Sequence, residues 1–151
     1  MKKHLFIGLV AMLALCLVGC ESKEQQEFNK LTLDLHVDQA DWQWDNDNLQ
    51  FYYHFDVPEI TWQIYDYGNW SISREYNYGT NDAYQVALPQ SVYMVEEVED
   101  EETHEKYNVY YTQHIDYAVG AGWVEIILTN SDYMYASDNP ATMHFRLQLI
   151  Y

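Results

Sequence analysis

The sequence predicts an all-β domain, an antiparallel sandwich of about seven to eight short strands, immunoglobulin-like or jelly-roll-like, with one short helical turn. Three observations lead there. Apolar and polar residues alternate with a period of two in short runs separated by turn-forming clusters. Aromatic residues make up 17% of the chain, with 15 tyrosines, and these rings favour pleated, half-buried surfaces. No long stretch carries the helical period that the crossovers of a parallel α/β sheet would need.

The strands follow in order. Leu31, Leu33, Leu35 and Val37 interleave with Thr32, Asp34 and His36, which is a strand with one wet face. Asp45-Asn46-Asp47-Asn48 is a turn, and Leu49, Phe51, Tyr53, Phe55 and Val57 then mark a second strand that Pro58 ends. Over residues 59–68, Ile60, Ile64 and Tyr67 fit helical spacing with Gly68 as the stop, so a short helical turn is expected. Strands at 70–76 and 83–88 flank a turn at 78–82, and strands at 91–98 and 107–117 form a hairpin with an acidic tip. Residues 123–129 make a strongly apolar strand. In the last run Met143, Phe145, Leu147, Leu149 and Tyr151 face one way, and His144, Arg146 and Gln148 the other.

Charge limits the partners. The chain has 24 acidic residues against 7 basic ones, a formal net charge of −17. Phosphate contacts need lysine and arginine, so no nucleic-acid partner is expected, nor electrostatic docking on an anionic lipid surface. Any membrane attachment must come from elsewhere, and the N-terminus offers it. Lys2 and Lys3 precede an apolar run over residues 5–18 that is too short to span a bilayer but suits a signal peptide. The run ends in Leu17-Val18-Gly19-Cys20. This segment resembles the lipobox of bacterial lipoproteins, and the resemblance implies cleavage before Cys20 and a diacylglycerol on its sulfur. Two acyl chains give stable anchoring where one would not.

The expected organisation is therefore a signal peptide at 1–19, a lipidated Cys20 with a polar tether to residue 30, and a β-sandwich domain at 31–151. Cleavage would remove Cys16 along with Lys2 and Lys3, and lipid would occupy Cys20, so the folded domain would have no free thiol, disulfide or cysteine-ligated metal.

Motifs for chemistry are few. Glu96-Glu97-Val98-Glu99-Asp100-Glu101-Glu102 offers carboxylates for Ca²⁺, but a solvated hairpin tip is the expected reading. Asp45-x-Asp47 opens like an EF-hand loop, yet Leu49 and Gln50 stand where a third ligand and a glycine belong. His36, His54, His104, His114 and His144 show no zinc-helix spacing and read as strand-surface residues. The chain has no G-x-S-x-G, P-loop or dinucleotide fingerprint. Neither metal nor cofactor is expected, and no catalytic residue stands out. Asn69-Trp70-Ser71 is a glycosylation sequon without the machinery a bacterial lipoprotein would need. The better lead is the five tryptophans. Trp42, Trp44, Trp62 and Trp70 are the candidate ligand-binding residues, since exposed rings on a sandwich can stack on sugar faces, although core packing is the ordinary fate of such rings. Trp42 and Trp44 share a parity and should share a fate.

With the lipobox, the acidic tether, the Val57-Pro58-Glu59-Ile60-Thr61 segment and the 140–146 strand in view, the chain resembles the small lipoproteins of unknown function common in Gram-negative gut anaerobes. The resemblance implies an outer-membrane location. Lys23-Glu24 and Glu27 are similar to the lysine/acidic signal that routes such lipoproteins to the cell surface. The expected role is a non-catalytic binding or accessory module at the cell envelope, its ligand a glycan or another envelope protein. The alternative is an envelope hydrolase using a carboxylate pair or a triad that no motif reveals.

Overall fold

The computed structural model describes residues 29–100, 102–132 and 139–151. The expected signal peptide, Cys20 and nearly all of the expected tether lie outside the described residues. The first strand begins at Lys30, at the end of the expected tether. Among the described residues, nine strands form two antiparallel sheets. β1 (Lys30–Val37), β9 (Met143–Ile150), β4 (Asn69–Tyr76) and β5 (Tyr84–Ala87) make the first, in that spatial order. β2 (Gln43–Asp45), β3 (Gln50–Asp56), β8 (Trp123–Asn130), β7 (Lys106–Gly120) and β6 (Gln90–Glu99) make the second. This is the all-β sandwich that the alternating pattern predicts.

The alternation decides which face turns inward. In β9 every second residue from Met143 to Leu149 is buried, and β8 repeats the pattern at Val124, Ile126 and Leu128. These rows meet Leu35 and Val37 of β1, Ile72 of β4, Phe51 of β3 and Ile115 of β7 in one core. Burying each such side chain contributes about 1.5–3 kcal/mol relative to leaving it exposed. β2 has no counterpart in the sequence reading, because three residues are too few to show a period. Leu49 does not open β3: it sits in the preceding turn at φ 52°, substantially exposed, and the strand starts at Gln50.

The expected helical turn is α1 (Trp62–Tyr67). The Thr61 side chain accepts a hydrogen bond from the Ile64 amide at 3.3 Å, an N-cap, and the Gly68 amide closes the other end on the Ile64 carbonyl. A Cβ at Gly68 would lie 2.6 Å from that carbonyl, so only glycine fits the stop. Ile60 and Ile64 are buried as the spacing predicts, whereas Tyr67 points to solvent.

Strand register gives the sandwich two distinct poles. Lys30 pairs with Ile150, and Ile150 with Asn69, so the end of the expected tether enters the domain at the pole that carries α1. Val37 pairs with Met143 at the opposite pole, where β4 and β8 end and β3 begins. There β7 loses its partner β8 at the Gln113–Asn130 pair, and the β6–β7 hairpin continues alone as a two-stranded arm to its acidic tip.

Candidate functional site

At the pole away from the tether, the two sheets part into a cleft of about 280 Å³. Its walls come from both layers. Arg74, Tyr76 and Met143 stand on one side, and Phe51, Met94, Glu96, Tyr111 and Gln113 on the other. The strand period explains Arg74. It shares the inward parity of Trp70 and Ile72, so β4 carries a guanidinium toward the interior where its neighbours carry apolar groups.

The four cations of the described residues have different fates. Lys106 pairs with Glu97 at 2.7 Å on the arm, and Arg146 pairs with Asp34 at 3.0 Å and Glu75 at 3.2 Å on the outer face of the first sheet. Lys30 lies where the tether enters. Arg74 alone is turned between the sheets, and no carboxylate of the described residues forms an ion pair with it. Its guanidinium carbon lies instead 4.3 Å from the centre of the Tyr76 ring, a cation–π contact. Tyr76 in turn stacks on Tyr84 at 5.0 Å, and its hydroxyl accepts from Gln90 Nε2 at 2.7 Å. Burial pushes the Arg74 pKa down, Tyr76 and Tyr84 oppose that shift, and the group stays cationic as arginine does.

The polar lining supplies both donors and acceptors. Gln113 and Asn130 are buried at the base and joined by a bond of 3.4 Å from Gln113 Nε2 to Asn130 Oδ1. Burial, with Glu96 and Asp132 nearby, pushes the Tyr111 phenol up, so it remains a hydroxyl donor. Glu96 is the one carboxylate of the described lining. A glycosidase-type pair of carboxyl groups therefore has no second member in the described walls.

The sequence-selected tryptophans divide between the poles. Trp42 is 4% exposed and part of the core, so it presents no face to a ligand; its Nε1 donates to the Ala141 carbonyl at 3.3 Å. Trp44 is half-buried, donates to Asn46 Oδ1 at 3.0 Å and meets the Phe51 ring edge-on at 4.8 Å. Both therefore turn toward the core, as their shared parity requires, and stand behind Ala141 and Phe51 of the cleft wall. Trp62 and Trp70 come together at the tether pole, one on each side of Tyr65, with Trp62 72% exposed. A second cavity of about 550 Å³ lies at this pole, lined by Leu31, Ile64, Tyr67, Ile150 and Tyr151.

The acidic tip uses its charges locally. Asp100 Oδ1 accepts from the amides of Glu102 and Thr103 and from the Thr103 hydroxyl, and Glu99 pairs with His104 at 2.9 Å. Glu101 lies outside the described residues. Among the described residues no group of three or more His, Cys, Asp or Glu is arranged to hold a metal ion, and no helix is long and apolar enough to cross a membrane.

Sequence reasoning missed Arg74. Its signal was present in the 70–76 alternation, where a charged residue occupies an inward position. Comparison with family models, curated proteins and solved structures finds no match.

Proposed function

We propose that this chain is a lipid-anchored, non-catalytic binding module of the bacterial outer membrane, held through Cys20, and that its ligand is a glycan bearing a carboxylate. The observation that carries the reading is the guanidinium of Arg74, set between the sheets without an ion-pair partner among the carboxylates of the described residues. A carboxylate on the ligand would complete it through charge-assisted hydrogen bonds. Glu96, Tyr111, Gln113 and Asn130 offer the mixed acceptors and donors that sugar hydroxyls need, while Phe51, Met94 and Met143 supply apolar surface. The volume of about 280 Å³ suits one sugar unit. The acidic arm beside the cleft disfavours a long polyanion, so isolated acidic units in a mostly neutral glycan fit best.

The test uses the full chain with Cys16 and Cys20 changed to Ser, so that it is free of thiols and lipid, in a mild detergent that holds the apolar run at residues 5–18 in solution. It is applied to a panel of neutral and uronate-bearing oligosaccharides beside the same chain carrying Arg74→Gln. Uronate-bearing members should bind, and the substitution should weaken them at least about tenfold, the worth of a hydrogen bond to a charged group. Matching thermal melts would show that Arg74→Gln still folds. Binding that ignores the substitution, or that prefers neutral sugars, contradicts the reading.

A further inference from the structure

On the outer face of the first sheet, His36 of β1 and His144 of β9 are directly opposed in the strand register, although 108 residues separate them. Their Nδ1 atoms lie 3.2 Å apart. His36 Nε2 lies 2.9 Å from Asp38 Oδ1. With the Asp38 carboxylate accepting from Nε2–H of His36, Nδ1 of His36 accepts from Nδ1–H of His144, and a bound metal ion would displace that shared proton. Tyr78 stacks on the His144 ring at 3.9 Å and restrains it. Together with Leu35, Phe145 and Asp34, these residues line a shallow surface pocket that opens onto the pair.

We propose that His36 and His144 form a chelating site for a borderline divalent transition-metal ion, Zn²⁺ or Cu²⁺. Two nitrogens bound to one tetrahedral zinc at about 2.0–2.1 Å lie about 3.3 Å apart, so the pair already has the required bite. The carboxylate–histidine arrangement of Asp38 and His36 is the outer-shell device that fixes the tautomer of a metal-bound imidazole and raises its basicity. Imidazole ligands select Zn²⁺ and Cu²⁺ over the hard cations Ca²⁺ and Mg²⁺. No third protein ligand converges among the described residues, so water fills the remaining positions and the site stays open to exchange. β9 is held on both edges and β1, the edge strand, pairs with β9 over its whole length, so the two imidazoles approach without a loop having to order. This proposal is independent of what the Arg74 cleft binds.

The experiment is calorimetric titration of the untagged full chain, with Cys16 and Cys20 changed to Ser, against ZnCl₂ and CuSO₄ at neutral pH. His36→Gln, His144→Gln and Asp38→Asn forms are titrated in parallel. One ion per chain should bind, each histidine substitution should weaken it at least tenfold, and Asp38→Asn should weaken it about 10–100-fold while both ligands remain. MgCl₂ should show no site of this kind. Matching melting temperatures in the absence of metal confirm that the variants fold. The proposal is overturned if neither ion binds stoichiometrically below 100-fold excess, or if binding persists unchanged in both histidine variants, which would mark it as diffuse association with surface carboxylates.

Discussion

Phe145 shows how much a single residue reports. It is 1% exposed and lies in the central strand of its sheet, paired with Leu35 on one side and Arg74 on the other. Phe145→Ala should destabilise the domain by about 3–5 kcal/mol, read from chemical denaturation, because the cavity sits between two sheets that cannot collapse onto it. A shift below about 1 kcal/mol would show that the ring is not core. The inward row around Phe145 was legible because the period of β9 is unbroken over eight residues. Arg74 was less so, since alternation reports which way a residue points but not that the sheets part above it. The His36–His144 contact was invisible for another reason: both outward positions followed from parity, but strand order alone makes them neighbours, and no local pattern encodes it.

At the scale of the element, the β6–β7 arm separates charge management from ion binding. Glu97, Glu99 and Asp100 each have a partner within the arm, so the tip has little need of Ca²⁺. Matched NaCl and CaCl₂ at equal ionic strength should therefore move the melting temperature alike, and a Ca²⁺-specific rise would contradict this. The Thr103 and Glu102 amides and the Thr103 hydroxyl hold the Asp100 carboxyl below its usual 3.8. A depressed folded pKa gives stability that is present above the unfolded value and lost as pH falls through the folded one. Asp100→Asn should accordingly lower the melting temperature at pH 7, and the gap from the parent should close as pH falls below about 3.8. A gap independent of pH would assign the effect to the side chain's shape and not to its charge. The arm also shows what turns conceal. The hairpin was evident in the sequence, but its extension beyond β8 was not, because a strand's pattern does not reveal where its partner ends. Gly68 marked the end of α1 correctly for the opposite reason, since a helix stop is local chemistry, while the Thr61 cap at its start went unread.

At the scale of the molecule, the proposed function gives the two poles different tasks. β9 has 8 residues, so it separates them by about 27 Å, at about 3.4 Å per residue. The segment leading to Cys20 joins at one pole, and the Arg74 cleft opens at the other, so an anchored domain would turn the cleft away from the lipid. On the proposed anchoring, Cys20→Ala should abolish labelled-palmitate incorporation in expressing cells, and equal labelling of the variant would contradict it. The binding claim itself rests on one side chain, and the chain's two arginines allow it to be watched directly. In a ¹⁵N spectrum, the Nε–H signals of Arg74 and Arg146 are separately visible and are assigned by Arg146→Lys. On addition of a uronate-bearing oligosaccharide, the account predicts a saturable shift of the Arg74 signal while that of Arg146, already held by Asp34 and Glu75, stays in place. An Arg74 signal that does not move, or that moves only in step with Arg146, would contradict it.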